Sequence, residues 1–351
     1  MTIKIAMRSA ATGSRLAAEP SGPGADGSSG PIGADRTMTP PHKADFQGGA
    51  AVDHKVRGKL PRFLFGVGAQ ASGLARINHR LLYRGESGLR ILTLHETRGP
   101  GQMERLRRLV EFCEQEFDFA SPEDVAALCA GRFVSGGRDR LAFTFDDGHG
   151  DNFEAARYLA TKGIRAYFFV IPAFLDRTVK EYYEFHGRNG VQPFAFASHH
   201  AASQGLTRAH VKEMAAMGHV IGGHNYAHRD LGTLRSAEDL DYEIRRALDE
   251  LSEILDQPCQ DFAFGFGLPQ HLSPEAFRYL DAHCARLYSA VRGLNVPGQT
   301  PRILLREPAN LWYPFAFTKA VLNGSLDLRA VGQWRALERL GGCLPSGAGP
   351  S

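Results

Sequence analysis

Residues 141–152 read LAFTFDDGHGDN, from Leu141 to Asn152, and this stretch decides the fold. Leu141 to Phe145 is short, apolar and bounded by polar residues, the signature of a buried strand. It ends on Asp146 and Asp147, with Gly148 supplying a sharp exit. Adjacent carboxylates at a strand end point in different directions. One can hold a metal ion while the other faces a substrate water. A DDG by itself is also a common solvated turn, so the surroundings have to decide.

Working outward, strands alternate with helices. Gly88 to Leu94 reads as a buried strand, and Met103 to Phe117 as a helix with Leu106, Leu109, Val110 and Cys113 on one face. Ser121 and Pro122 open a second helix as N-cap and first helical residue. Helices are expected at Phe153 to Thr161, after Thr207, at Ala237 to Leu255 and at Pro274 to Ala285. Strands are expected at Ala166 to Ile171, His219 to Ile221, Phe262 to Phe266, Leu287 to Val291 and Ile303 to Leu305. Alternation over this length predicts an α/β fold, a distorted (β/α) barrel with fewer than eight regular strands. Asp176 to Leu206 breaks the pattern and is read as a long loop beside the active face.

The second chemical signal follows the strand GHVIGG. His224 and His228 stand at i, i+4 in HNYAH, a spacing that lets both bind one ion. Fourteen histidines make chance pairs, but placement adds weight. Asp147 and the pair both fall at the carboxyl ends of strands, the face where barrel active sites form. One carboxylate and two imidazoles leave coordination positions open, as a catalytic Zn²⁺ site does.

Together, LAFTFDDGHGDN and GHVIGGHNYAHRDL resemble the first two signatures of the polysaccharide deacetylases, carbohydrate esterase family 4, whose nodulation-type chitooligosaccharide deacetylase domain carries TFDDG and H-S/T-x-x-H. The likeness runs from about Gly88 to Glu307. It implies one divalent ion, Zn²⁺ above others, held by Asp147, His224 and His228, with Asp146 as general base. The substrate implied is an N-acetylated amino sugar in an oligo- or polysaccharide, possibly during cell-surface polysaccharide synthesis. His149, Tyr226, Phe264 and Phe266 are the candidate substrate contacts.

Two features depart from that pattern. The third signature often carries an Arg and a Pro, whereas residues 262–267 read FAFGFG. The late L-x-H that supplies an acid histidine is missing, since residues 302–306 read RILLR. The first strand instead ends LTLHE. A barrel is closed, so His95 at the start of the chain can occupy the same place, an arrangement resembling exopolysaccharide-type members. The acid is therefore assigned to His95, and Arg302 and Arg306 are read as structural. Two alternatives keep the fold: an amidohydrolase for a small amide or cyclic imide, or an inactive sugar-binding module.

Composition bounds the rest. Lys and Arg total 41 against 38 Asp and Glu, so no bulk charge draws the 351-residue chain to nucleic acid or anionic lipid. No apolar run reaches the ~18 residues of a membrane span. Five scattered cysteines form no CxxC, which argues against a disulfide framework. The N-terminus lacks the apolar core of a secretory signal, making the cytoplasm the default expectation. The first fifty residues hold 8 Gly, 5 Pro and one aromatic, Phe46. Residues 1–58 are accordingly expected to be a disordered leader, 59–340 the catalytic barrel and 341–351 a flexible tail.

Overall fold

The computed structural model describes residues 60–191, 203–298 and 301–341. The expected leader and nearly all of the expected tail lie outside these residues.

Nine strands are described: β1 (Leu89–Leu94), β2 (Asp118–Phe119), β3 (Arg140–Phe145), β4 (Tyr167–Val170), β5 (Val220–Gly223), β6 (Asp261–Ala263), β7 (Arg286–Tyr288), β8 (Ile303–Leu304) and β9 (Glu307–Pro308). Their order is β8-β7-β6-β5-β4-β3-β1-β9, all parallel, with β2 joining β3. β8 and β9 sit at opposite ends of this order, yet only Leu305 and Arg306 separate them in the chain. One extended segment therefore lines both edges and closes the sheet. Six strands have three or more residues, which agrees with a distorted barrel of fewer than eight regular strands.

Side chains alternate across each strand. Leu89 and Ile91 of β1, Ala142 of β3, Phe169 of β4, Ala263 of β6 and Leu304 of β8 pack together inside the barrel. Leu92, Leu94, Leu141, Phe143 and Phe145 face the surrounding helices. Those helices include α1 (Leu60–Ala71), α2 (Leu74–Tyr83), α3 (Gln102–Glu116), α4 (Pro122–Cys129) and α5 (Asn152–Thr161). Ser121 caps α4 in a full capping box with Asp124.

The stretch expected to be a long loop contains α6 (Val179–Arg188). Thr178 and Glu181 form a capping box at its start, and Val179, Tyr182 and His186 are buried on one face. A T-x-x-E signature outweighed the Gly- and aromatic-rich composition. After α7 (Arg208–Ala216), the expected helix 237–255 is divided into α8 (Ala237–Leu240), a π turn at Asp241–Arg245 and α9 (Arg246–Leu255). α10 (Pro274–His283) precedes β7. α11 (Phe315–Leu322) and α12 (Val331–Arg339) follow the barrel.

α1 and α2 had no counterpart in the alternation pattern, because they belong to no β/α unit. A buried ionic cluster anchors them. Arg90 of β1 reaches Glu307 of β9 at 2.7 Å and Asp327 at 2.9 Å, and Tyr83 of α2 donates to Asp327 at 2.9 Å.

Candidate active site

The interior row Ala142, Thr144, Asp146 runs up β3 to the barrel mouth. Backbone strain then separates the two carboxylates. Asp147 (φ 75°) and Gly148 (φ 75°) are both left-handed, which swings Asp147 out of line with Asp146. Gly148 is required twice over, since a Cβ there would lie 2.9 Å from a Val170 methyl.

Asp147 meets the histidines that leave β5. Its Oδ1 lies 3.4 Å from His224 Nε2 and 3.7 Å from His228 Nε2. One donor atom from each of the three residues falls within 4.8 Å of the others. His224 Nδ1 donates to the Ala263 carbonyl at 2.6 Å, which turns Nε2 inward toward Asp147. Burial and the neighbouring His224 push the His228 imidazole down to about 4, which keeps it neutral. Burial alone would raise the Asp147 carboxyl, but hydrogen bonds from His149 and His224 hold it well below the usual range. Burial works to lower the His224 imidazole, but Asp146 and Asp147 outweigh it and raise it above its ordinary value, so a divalent ion binding here would have to displace any proton His224 holds.

The loop carrying the two histidines is held by a bond within itself and by two partners outside it. Asn225 (φ 56°) accepts from the Gly265 amide at 3.2 Å and donates to the Arg229 carbonyl at 2.8 Å. Glu243, fully buried on the π turn, accepts from the amides of Ala227 (3.0 Å) and Arg229 (3.4 Å). These flank His228, itself left-handed at φ 51°. The extra residue of a π turn is what aims Glu243 inward, and an unbroken helical reading of 237–255 could not have shown it.

Arg306 is the largest departure from the sequence reading, which made it structural. Fully buried at the seam between β8 and β9, it donates Nη1 to Asp146 Oδ1 at 2.8 Å and Nη2 to Oδ2 at 2.9 Å. The same Nη1 touches Thr144 Oγ1 at 3.1 Å, and the guanidinium lies 5.2 Å over the Phe169 ring. Burial works to raise the Asp146 carboxyl, and Arg306 with His224 outweighs it, leaving it below its ordinary value. Arg302, by contrast, ties the carbonyls of Asp281, Cys284 and Ala285 at the end of α10, as a structural arginine would.

His95 follows β1 directly, and Leu94 pairs with Phe145, so His95 stands level with Asp146. Ile91 and Thr93 set the inward face of β1, and His95 continues it. It is exposed at the mouth, near enough to act electrostatically on both Asp146 and Asp147. Asn152 donates to its carbonyl at 2.9 Å, and Thr97 bonds Asp151, fastening this loop to the DDG loop.

The four expected substrate contacts separate. His149 is buried with Nε2 3.4 Å from Asp147 Oδ2, so it braces the carboxylate from behind. Phe266 (φ 63°) is half-buried, its ring 4.9 Å from that of His228. Phe264 is fully buried among the helix-facing residues, on the other side of the chain from the interior Ala263. Tyr226 turns away from the Asp147 cluster to pack on Tyr242 (5.2 Å) beneath Arg246 (4.2 Å). Tyr226 stands midway between the histidines, separated from each by one residue, yet its ring packs away from them.

Residues 134–284 match the family model described as polysaccharide deacetylase. This segment belongs to the polysaccharide deacetylase family. The deacetylase domain is that of a hydrolase acting on non-peptide C–N bonds. Its fold is similar to IcaB from Ammonifex degensii, with TM-score 0.52 and 20% identity over 68% of this chain and 97% of that one. It is also similar to a de-N-acetylase from Aggregatibacter actinomycetemcomitans, with TM-score 0.50 and 13% identity over 66% of this chain and 99% of that one. No curated protein matches the chain. The matched segment of the deacetylase domain includes Asp146, Asp147, His224 and His228 but stops short of both His95 and Arg306.

Proposed function

We propose that the protein removes N-acetyl groups from an amino-sugar oligo- or polysaccharide, using one divalent ion, with Zn²⁺ the ion expected. The observation that carries this reading is the convergence of Asp147, His224 and His228 within 4.8 Å, next to an Asp146 gripped by Arg306. The donor set fits such an ion: two imidazoles and a carboxylate, with positions left for water and substrate. When bound there, the ion would polarise the amide carbonyl and acidify water.

The chain's own residues would do the rest. Asp146 takes a proton from the attacking water, and Arg306 fixes its carboxylate in the plane needed for that transfer. His149 holds Asp147 through Oδ2, leaving Oδ1 toward the histidine pair. His95 gives a proton to the departing nitrogen. Phe266 offers an apolar wall beside His228. Action on cell-surface polysaccharide is part of the same proposal, supported by the exopolysaccharide-type placement of His95.

Purified chain loaded with Zn²⁺ is to be incubated with N-acetylglucosamine oligomers and the released acetate measured. Acetate from the native chain but not from Asp146→Asn, at equal metal content, is the expected result. No acetate from the native chain with any divalent ion would overturn the reading.

A further inference from the structure

Seven large apolar side chains are exposed among the described residues, and five of them, Leu64, Phe65, Val67, Ile77 and Leu81, lie on the α1–α2 hairpin. Leu64 and Leu81 are each 64% exposed, Ile77 51% and Phe65 49%. Exposed Leu328 adds a sixth beside them: Arg329, next in the chain, stacks on Phe65 at 5.4 Å. The inner face of the hairpin is already satisfied. Phe63 packs on Phe317 at 4.7 Å and Tyr313 at 5.4 Å, and Leu82, Tyr83 and Asn78 are buried. Among the described residues, folding therefore leaves most of the outer face uncovered.

The charge of this segment is one-sided. Residues 60–84 contain Arg62, Arg76, Arg80 and Arg84 and no Asp or Glu. Arg76, Arg80 and Arg84 recur at i, i+4, i+8 on the exposed side of α2, and Ile77 and Leu81 form the adjoining stripe. None of these three arginines has a carboxylate within ion-pair distance among the described residues. The near-neutral balance of the whole chain conceals this local excess. At 12 and 10 residues, neither helix can cross a ~30 Å hydrocarbon layer. Apolar and basic stripes side by side on short helices suit the interfacial plane of a bilayer, the apolar side chains entering the acyl boundary and the arginines meeting headgroup phosphates.

We propose that the α1–α2 hairpin docks the protein on an anionic membrane surface, lying flat and leaving the barrel in water. The charge selects this occupant: a protein partner would need its own acidic, apolar patch, and a second copy would bring arginines against arginines.

The full chain is to be sedimented with vesicles of phosphatidylcholine alone and of phosphatidylcholine with 30 mol% phosphatidylglycerol, at about 50 and 500 mM salt. Binding to the anionic vesicles, weakened by salt, is expected. Arg76→Ser/Arg80→Ser/Arg84→Ser should bind about a hundredfold more weakly, and Ile77→Ser/Leu81→Ser at least tenfold. Arg132→Ser/Arg157→Ser/Arg188→Ser, which removes equal charge from elsewhere, should bind as the native chain does. All these positions are exposed, and unchanged melting curves would show the variants fold. No binding by the full chain, equal loss in both arginine triples, or self-association abolished by Ile77→Ser/Leu81→Ser would each overturn the proposal. None of these readouts depends on acetate release.

Discussion

Arg306 and Asp146 form a two-point ion pair inside the barrel, 2.8 Å and 2.9 Å long, although 160 positions separate them. The pair spans the interior from the closing seam to β3, so it joins barrel closure to the orientation of the candidate base. FAFGFG in the third signature brings no arginine to the mouth; Arg306 brings one from the opposite direction.

Arg306→Met is expected to remove the clamp and leave a buried carboxylate without its partner. Breaking such a pair typically costs 3–5 kcal/mol of stability, read as a lower denaturant midpoint. Turnover should fall by about 10² or more, since a misaligned base forfeits most of what general-base catalysis provides. Arg306→Lys keeps the charge and loses the fork, so it should retain stability better than activity. Full acetate release by the methionine variant would remove Arg306 from the site.

The metal proposal predicts that Asp147→Ala, His224→Ala and His228→Ala each lose the ion, by elemental analysis after dialysis. His149→Ala should keep it with affinity reduced about 10–100-fold, as expected of a residue that orients a ligand. Wild-type metal content in all three ligand variants would eliminate the site.

Glu243 predicts a pH dependence of stability. Burial pushes its carboxyl up to about 7, above the range of an exposed glutamate. The folded chain then holds this proton more tightly than the unfolded chain. The resulting stabilisation is complete below about 4.3 and disappears as pH rises through about 7. Native protein should thus lose up to roughly 3 kcal/mol over that window from this group, and Glu243→Gln should flatten the fall. Chemical melts between pH 5 and 8 measure both slopes; parallel slopes would show that Glu243 does not titrate there.

What the sequence made legible was local. LAFTFDDG is a strand and its exit, and HNYAH is one loop, so both carry their chemistry within a few residues. Thr178-x-x-Glu181 is equally local, and reading the whole stretch as a loop passed over it. Arg306 was not legible, because its meaning depends on where the barrel closes and which way a seam residue points. Glu243 was hidden because one π turn shifts the face of a helix without altering its apolar pattern. Tyr226 misled for the reverse reason: proximity in sequence to two site histidines says nothing about facing them.

The remaining prediction concerns His95. An amide nitrogen leaves poorly unless protonated, and a positioned acid typically contributes 10²–10⁴-fold. Arg306 is fully engaged with Asp146 and stays cationic, and Arg302 is tied to α10, so the closing segment supplies no proton. His95 stands at the mouth, level with Asp146, on a loop fastened by Asn152 and Thr97. His95→Ala should bind metal normally and lose most of its kcat on an acetamide. On an acetylated phenol it should lose far less, because phenolate departs with little help. Phe264 and Tyr226, buried away from the mouth, should show no such substrate-dependent split when changed conservatively. Equal losses on amide and ester in His95→Ala would mean that this histidine shapes the site without delivering a proton, and the acid would have to be sought among other residues at the mouth.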